Sequence, residues 1–537
     1  MTRCREFLLV VLAAVLVTTA LTYPLAFRLG HIGRVDNSDG QFSIWNVAWV
    51  ARTLVADPLH VFDSNIFYPH RDTLAYSESN LGAGAIAAPV YWATRNPYAA
   101  HNAAVAAAFV LSFIGMFYLV RHLTGDRRAA AIAAIAFAFC PFEYARTAHV
   151  QLLMIGGLPF VMLAFHRLTE RPTPARGAVL GLAMAAQALF CGYYGIFALL
   201  TVAFAVLVVS IVRRLWTLRR FWLALAAGAL VAIALAVPAF VPYLRLQHAG
   251  FRRPLEAAAS FSATWSAYLT SSSYAHAWLL AYLPRPSESL FPGVIVTTFG
   301  LAGAWVARRR HAELAWLYGG LAVLALWASF GPRGGLYSVL YHVVPFFSWM
   351  RAPGRFGLLV TFALSVLGGV ALAALFARVK YASAVAALLA AATAAELATP
   401  WPMPAVEPLE PVYRVLRELP PGPVIEMPFW YIDFMYPRHT YYMLQSTSHW
   451  MPLVNGYSDY MPPDFLDHVM TLAAFPSVPS LHLLAPEHVR YAIFHRYWYT
   501  DATWATVTPR MKELAPYLRQ VFADEGTELY EIVGAPP

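Results

Sequence analysis

The chain has 537 residues, 59% of them hydrophobic and only 12% charged, with a mean hydropathy of +0.53. A soluble domain carries about 25% charged residues, so this deficit excludes an ordinary soluble protein and indicates a polytopic membrane protein. The formal charge of +9 does not indicate nucleic acid as a partner, because the arginines fall in short clusters between apolar segments, where they report sidedness.

The N-terminus, Met1 to Leu25, starts with Arg3 and Arg5 and runs into apolar sequence. It reads as a first membrane segment, with a cleavable signal peptide as the alternative; either puts the following loop outside the cytoplasm. Crossing a bilayer takes about 20 apolar residues, or fewer where a segment is buried in protein. Eleven segments qualify on that basis: Glu6–Phe27, Ala100–Val120, Ala129–Cys140, Leu152–Ala164, Ala178–Phe190, Ile196–Val212, Phe221–Val241, Val294–Val306, Leu314–Phe330, Gly357–Phe376 and Ala382–Ala398. The third and fourth are short and flank a polar hinge, Pro141 to Gln151. Alternate loops carry Arg121/Arg127/Arg128, Arg167/Arg171/Arg176, Arg213/Arg214/Arg219/Arg220, Arg308/Arg309/Arg310 and Arg378/Lys380. With eleven crossings these clusters share one side with Arg3 and Arg5, the cytoplasmic side by the positive-inside rule. The long loops 28–99, 242–293 and 331–355, and everything after Thr399, then lie outside.

Beyond the turn-rich Thr399-Pro-Trp-Pro-Met-Pro404 the sequence becomes mixed. Val412–Leu419 predicts an amphipathic helix, Pro423–Met427 a strand, Pro463–Thr471 and Ser480–Leu484 helices, and Arg490–His495 and Glu528–Val533 strands. The expected division is a membrane domain, 1–399, and a small α/β domain, 400–537. The three cysteines, Cys4, Cys140 and Cys191, have no paired spacing and predict neither disulfide nor metal knuckle.

Transporters often place acids at mid-membrane in two related halves. Here few acids lie deep in an apolar segment; Glu396 is near a segment end, and polar residues gather in the outer loops. That favours chemistry at the outer membrane surface. The first outer loop opens with Arg34-Val-Asp-Asn-Ser-Asp-Gly40. Two acids at the mouth of a membrane helix are costly to place, although either Asp36 or Asp39 could instead cap the next helix. Trp45 and Trp49 read as an interface-seeking stretch. Cys191-Gly-Tyr-Tyr-Gly195 marks an outer turn with no chemistry assigned.

Asp39-Gly40 before Trp45 and Trp49, Asn65–Pro69, Ser77-Glu78, the hinge Cys140–Gln151, Met350–Phe356 and Trp450–Tyr457 together resemble the GT-C class of membrane glycosyltransferases. Within that class the chain looks like a bacterial group related to ArnT, YfhO and the protein mannosyltransferases. The Asp-Glu dipeptide of several GT-C families is missing here, which leaves either aspartate as its counterpart. The resemblance implies a GT-C-like helical membrane protein of about 11 transmembrane helices with a small C-terminal extracytoplasmic α/β domain, in a bacterial cytoplasmic membrane. It implies inverting transfer of a sugar from a polyprenyl-phosphate donor to an envelope lipid, glycan or protein. A carboxylate would take the acceptor proton; Asp39 is the first choice and Asp36 the second. Glu78 would orient the acceptor or help bind a divalent cation, Mg2+ or Mn2+, with Asp39 and His149 as further ligand candidates. Glu143, Arg146 and His149 occupy the hinge, where GT-C proteins often place a second polar cluster. Arg333, Arg351 and Arg355 suit the carrier phosphate, with snorkelling to lipid headgroups as the alternative. Trp450 and Tyr457 are expected to stack on a sugar or to form a structural turn. Membrane lipids are the other expected partners. The competing functions are a lipid-linked saccharide transporter or flippase and a non-catalytic GT-C-like assembly protein.

Overall fold

The computed structural model describes residues 3–248, 250, 253–283, 288–344, 347–401 and 403–537. It divides into two compact units, Met1–Arg28 with Ala103–Pro402, and Leu29–Asn102 with Met403–Pro537.

The first unit is helical, and each of the eleven predicted apolar stretches maps onto helix, although Glu6–Phe27 runs past the end of Arg3–Leu21 and Leu152–Ala164 is broken between Leu153 and Gly157. Among the described residues, seven helical stretches are long and apolar enough to cross a membrane, rather than eleven: Cys4–Leu21, Pro97–Thr124, Val150–Glu170, Gly192–Arg213, Arg219–His248, Ala312–Ser329 and Pro353–Phe376. Pro174–Phe190 and Ala382–Leu397 are shorter apolar helices. The difference is one of length and charge. Arg127–Ala138 has 12 residues and rises only about 18 Å, against a hydrocarbon core of about 30 Å. Val294–Arg310 ends in three arginines.

The helices Pro174–Phe190 and Arg219–His248 approach through small residues. A side chain at Gly177 or Gly181 would run into the carbonyl oxygen of Ala224 or Gly228, the close backbone approach that small residues permit between membrane helices. The N-terminus of Val294–Arg310 is closed by Glu396, whose carboxylate accepts the N–H groups of Val294 and Ile295 and lies 3.3 Å from His276 Nε2. An acid belongs there, since it meets the unsatisfied N–H groups and the positive end of the helix dipole.

The basic loops meet at one end of this unit. Glu6 pairs with Arg121 at 3.3 Å and Arg127 at 2.6 Å, His122 with Glu170 at 2.9 Å, and Arg213 with Glu313 at 2.6 Å. Arg128 lies 5.3 Å from the Phe376 ring, beside Arg378. A cavity of about 410 Å³ lined by His122, Glu170, Arg213 and Glu313 joins these ends. The clusters separated along the sequence therefore share one end of the bundle.

The second unit is a mixed α/β fold. Its four strands are β1 (Val424–Met427), β2 (Tyr491–His495), β3 (Leu518–Ala523) and β4 (Thr527–Ile532), in the order β1-β2-β4-β3. β1 and β2 are parallel, with Val424 opposite Tyr491; β2–β4 and β4–β3 are antiparallel. The amphipathic helix Pro411–Glu418 covers the sheet with Val412, Tyr413 and Leu416. On β1, Glu426 is fully buried and accepts from His495 Nε2 at 2.8 Å and Tyr413 OH at 2.6 Å.

The first outer loop belongs to this unit and is largely helical: Ser38–Ala56 and Leu81–Thr94. Trp45 and Trp49 do not seek an interface. Both are buried, because their indole N–H groups reach Asn65 Oδ1 at 3.0 Å and the Val61 carbonyl at 2.9 Å. Asn65 in turn donates to Ser446 and Met451, and Gln41 accepts from Thr440, so the loop is part of the core of the C-terminal fold.

Candidate functional site

The hinge between the third and fourth apolar stretches is made by short, interrupted helical turns. Pro141 opens one turn to Tyr144, and Val150–Leu153 opens another. The first turn places Glu143, and the chain between the turns Arg146, within the helical unit. Glu143 is 1% exposed, and burial pushes its carboxyl well above the usual range, opposed only in part by the charge of Arg146. Burial lowers Arg146 to about 10, helped by the like charge of Arg355, so it is still a cation at neutral pH. The Arg146 guanidinium pairs with Glu288, which is itself buried, and lies 5.1 Å from the Phe142 ring centroid.

Arg355 comes from a different part of the chain, the turn Pro353–Phe356 that leads into Gly357–Phe376. Its guanidinium sits 4.4 Å over the Tyr193 ring. The Nε atoms of Arg146 and Arg355 and one oxygen of Glu143 are buried with no hydrogen-bond partner among the described residues. Buried polar groups are nearly always partnered. Glu288 is the counter-ion of Arg146, no carboxylate among the described residues pairs with Arg355, and Glu143 is biased towards its neutral form. The surplus is positive, and an oxyanion would complete it through charge-assisted hydrogen bonds.

The cluster lies at the end of the helical unit opposite the basic loops. Tyr193 is in the first turn of Gly192–Arg213, whose 22 residues span about 33 Å, one hydrocarbon thickness; Arg213 is at the other end. Arg351 flanks the cluster, with its guanidinium 5.3 Å from the Phe261 ring and its backbone N–H donating to Tyr193 OH at 2.5 Å. His149 is half-buried at the start of the second hinge turn, its backbone N–H donating to the Arg146 carbonyl at 2.8 Å. Arg333 is exposed on the turn Gly331–Gly334, and among the described residues no contact joins it to the cluster.

The remaining predicted residues are in the second unit. Asp36 is exposed and forms a fork with Arg34, at 2.9 and 3.2 Å. Asp39 is exposed in the first turn of Ser38–Ala56. Neither aspartate caps that helix: Asn37 does, accepting the Gly40 N–H at 2.7 Å. Glu78 is half-buried, and its carbonyl accepts from Asn46 at 3.1 Å. Trp450 donates its indole N–H to Tyr91 OH at 3.0 Å, packs 5.6 Å from Trp49, and carries Arg52 5.5 Å from its ring. Tyr457 is half-buried just past Asn455, whose side chain accepts the Glu426 N–H and donates to the Glu426 carbonyl, at 2.7 and 2.9 Å. Among the described residues no three His, Cys, Asp or Glu gather as a cation site.

Sequence reading missed two members of the arginine cluster. Glu288 is an isolated acid in a long outer loop, and the one available signal was the rarity of acids, 29 Asp and Glu in 537 residues. Tyr193 lies in the Cys191–Gly195 turn, where paired tyrosines between glycines at a helix junction were the signal.

No protein-family model matches the chain, and no curated protein matches it in sequence. Among solved structures it is similar to the oligosaccharyltransferase of Archaeoglobus fulgidus in complex with zinc and sulfate, with a TM-score of 0.46 and 14% identity over 97% of this chain and 72% of that one. It is also similar to ArnT from Cupriavidus metallidurans, both in the apo state and bound to undecaprenyl phosphate, with a TM-score of 0.48 and 16% identity over 100% of both chains in each case. No family membership follows from likeness of this degree.

Proposed function

We propose that this chain is an inverting membrane glycosyltransferase that moves a sugar from a polyprenyl-phosphate-linked donor to an envelope lipid, glycan or protein on the outer side of the membrane. The observation that carries this reading is the half-buried Arg146–Arg355 cluster with its buried, spare Nε donors, at the end of the helical unit opposite the basic loops. The sequence resemblance to the GT-C class agrees with it.

The chemistry assigns the roles. The acceptor oxygen forms a bond to the anomeric carbon as the bond from that carbon to the phosphate oxygen breaks. The bonding pair leaves with the phosphate, and the acceptor proton goes to a carboxylate. The anomeric carbon passes through an oxocarbenium-like state, so stabilising the leaving phosphate matters most, and preorganised cations do this best. Arg146 and Arg355 take that role, with Arg351 beside them. Asp39 is the base in this reading, with Asp36 as the alternative. Glu78, His149, Trp450 and Tyr457 are assigned to acceptor and donor contacts.

The test is transfer from a panel of polyprenyl-phosphate sugars by the purified full-length protein. Asp39→Asn should lower kcat by about 100-fold or more, the usual worth of a positioned general base. Undiminished transfer by that variant would exclude Asp39 as base. Failure of the wild type on every donor would remove the glycosyltransferase reading.

A further inference from the structure

The two arginines that form the phosphate site come from separate stretches of chain and repel one another, so something must hold them. The geometry points to the dipeptide Tyr193-Tyr194 as the positioning element, a proposal that rests on the phosphate-site reading above. The helix Pro174–Phe190 ends and Gly192–Arg213 begins with only Cys191, in extended conformation, between them. Gly195 makes the sharp junction feasible: its N–H donates to the Cys191 carbonyl at 2.8 Å, and a Cβ there would come within 2.8 Å of the Ala188 Cα. Tyr193 and Tyr194, between Cys191 and Gly195, are adjacent on the first turn of the new helix. Neighbours on a helix point about 100° apart, so the two rings serve two different partners.

Tyr194 takes the hinge. Its hydroxyl donates to the Leu152 carbonyl at 2.9 Å, in the turn that closes the Arg146 segment, and the residue is fully buried. Tyr193 takes the other arm. Its phenol oxygen accepts the backbone N–H of Arg351 at 2.5 Å and of Ala352 at 3.2 Å, while its ring lies 4.4 Å beneath the Arg355 guanidinium. One side chain thus fixes the turn through its oxygen and the cation through its face, two interactions of different physics. Glu288 completes the bracket by pairing with Arg146 and by packing against Gly354, where an added Cβ would meet its Cγ at 2.8 Å. The bracket supplies in advance the order that a phosphate would otherwise have to impose, which is the usual source of affinity in a preorganised site.

Binding of farnesyl phosphate to the full-length protein in nanodiscs, with farnesol as the uncharged control, tests this. Tyr193→Phe keeps the ring and loses the oxygen; Tyr193→Leu loses both. Farnesyl phosphate affinity should fall about threefold in the first and roughly tenfold in the second, farnesol binding staying constant. In an Arg355→Ala background, Tyr193→Leu should add almost nothing, the non-additivity expected of groups that act through one another. Thermal unfolding midpoints near wild type identify variants that remain folded, and Tyr193→Phe keeps the test available if Tyr193→Leu does not fold. Phosphate preference lost with Arg355 but untouched by both Tyr193 variants would overturn the bracket and leave the site standing. Equal, additive losses with and without Arg355 would also overturn it. A wild type that does not prefer the phosphate to the alcohol would overturn the site and the bracket together.

Discussion

Charge placement in this chain is decided residue by residue, and burial is the main lever. His439 shows its reach away from the arginine cluster. It is fully buried between the Trp430 carbonyl at 3.0 Å and Asn455 at 3.2 Å, and burial lowers it to about 4. The unfolded chain takes up that proton near pH 6.5. Between roughly pH 4 and 6.5 the unfolded state therefore binds more protons, and stability falls as the pH falls. The loss should reach up to about 3 kcal/mol by pH 4. Hydrogen exchange across residues 424–455 in the full-length protein should speed up from pH 7 to pH 4.5, and His439→Gln should flatten the dependence. An unchanged slope in that variant would assign the effect elsewhere. At the same scale, Asp36 and Asp39 were legible as a pair of acids but not as individuals. Asp36 takes the fork from Arg34 and Asp39 stands in the first turn of Ser38–Ala56, and which neighbour an arginine takes is a matter of three-dimensional geometry.

Elements were legible where hydrophobic periodicity was strong. The predicted strands Pro423–Met427 and Arg490–His495 and the helix Val412–Leu419 coincide with β1, β2 and Pro411–Glu418 to within a residue or two, because buried strands and amphipathic helices print their environment on the sequence. Others left no such mark. Asp501–Glu513 is a helix despite Thr503, Thr506, Val507, Thr508 and Pro509, all poor interior helix formers. β3 is mostly exposed and shows no alternation. Ser38–Ala56 misled through Trp45 and Trp49, whose partners, Asn65 and Val61, are supplied by tertiary structure. Where helix meets helix, glycine spacing decides the approach. Gly177→Leu should separate Pro174–Phe190 from Arg219–His248, costing about 1–3 kcal/mol. A lowered unfolding midpoint in detergent would show this, whereas a midpoint equal to wild type would mean that the helices meet differently.

For the molecule as a whole, the arginine-bearing loops predict one orientation. In a chain with Cys4, Cys140 and Cys191 replaced by alanine, an impermeant maleimide applied to intact cells should label Glu418→Cys and spare Arg309→Cys, both exposed positions. Labelling of Arg309→Cys alone would invert the assignment. The second unit carries a different consequence, one of time. Its two pieces, Leu29–Asn102 and Met403–Pro537, are about 300 residues apart in the chain. At the usual rate of about 5–20 residues per second, the first piece leaves the ribosome roughly 15–60 seconds before its partner exists. Through that interval the ring of Trp49 lacks Trp450 and the amide of Asn65 lacks Ser446 and Met451. Biosynthesis therefore includes an obligatory waiting period, during which this segment depends on whatever shields nascent chains at the membrane.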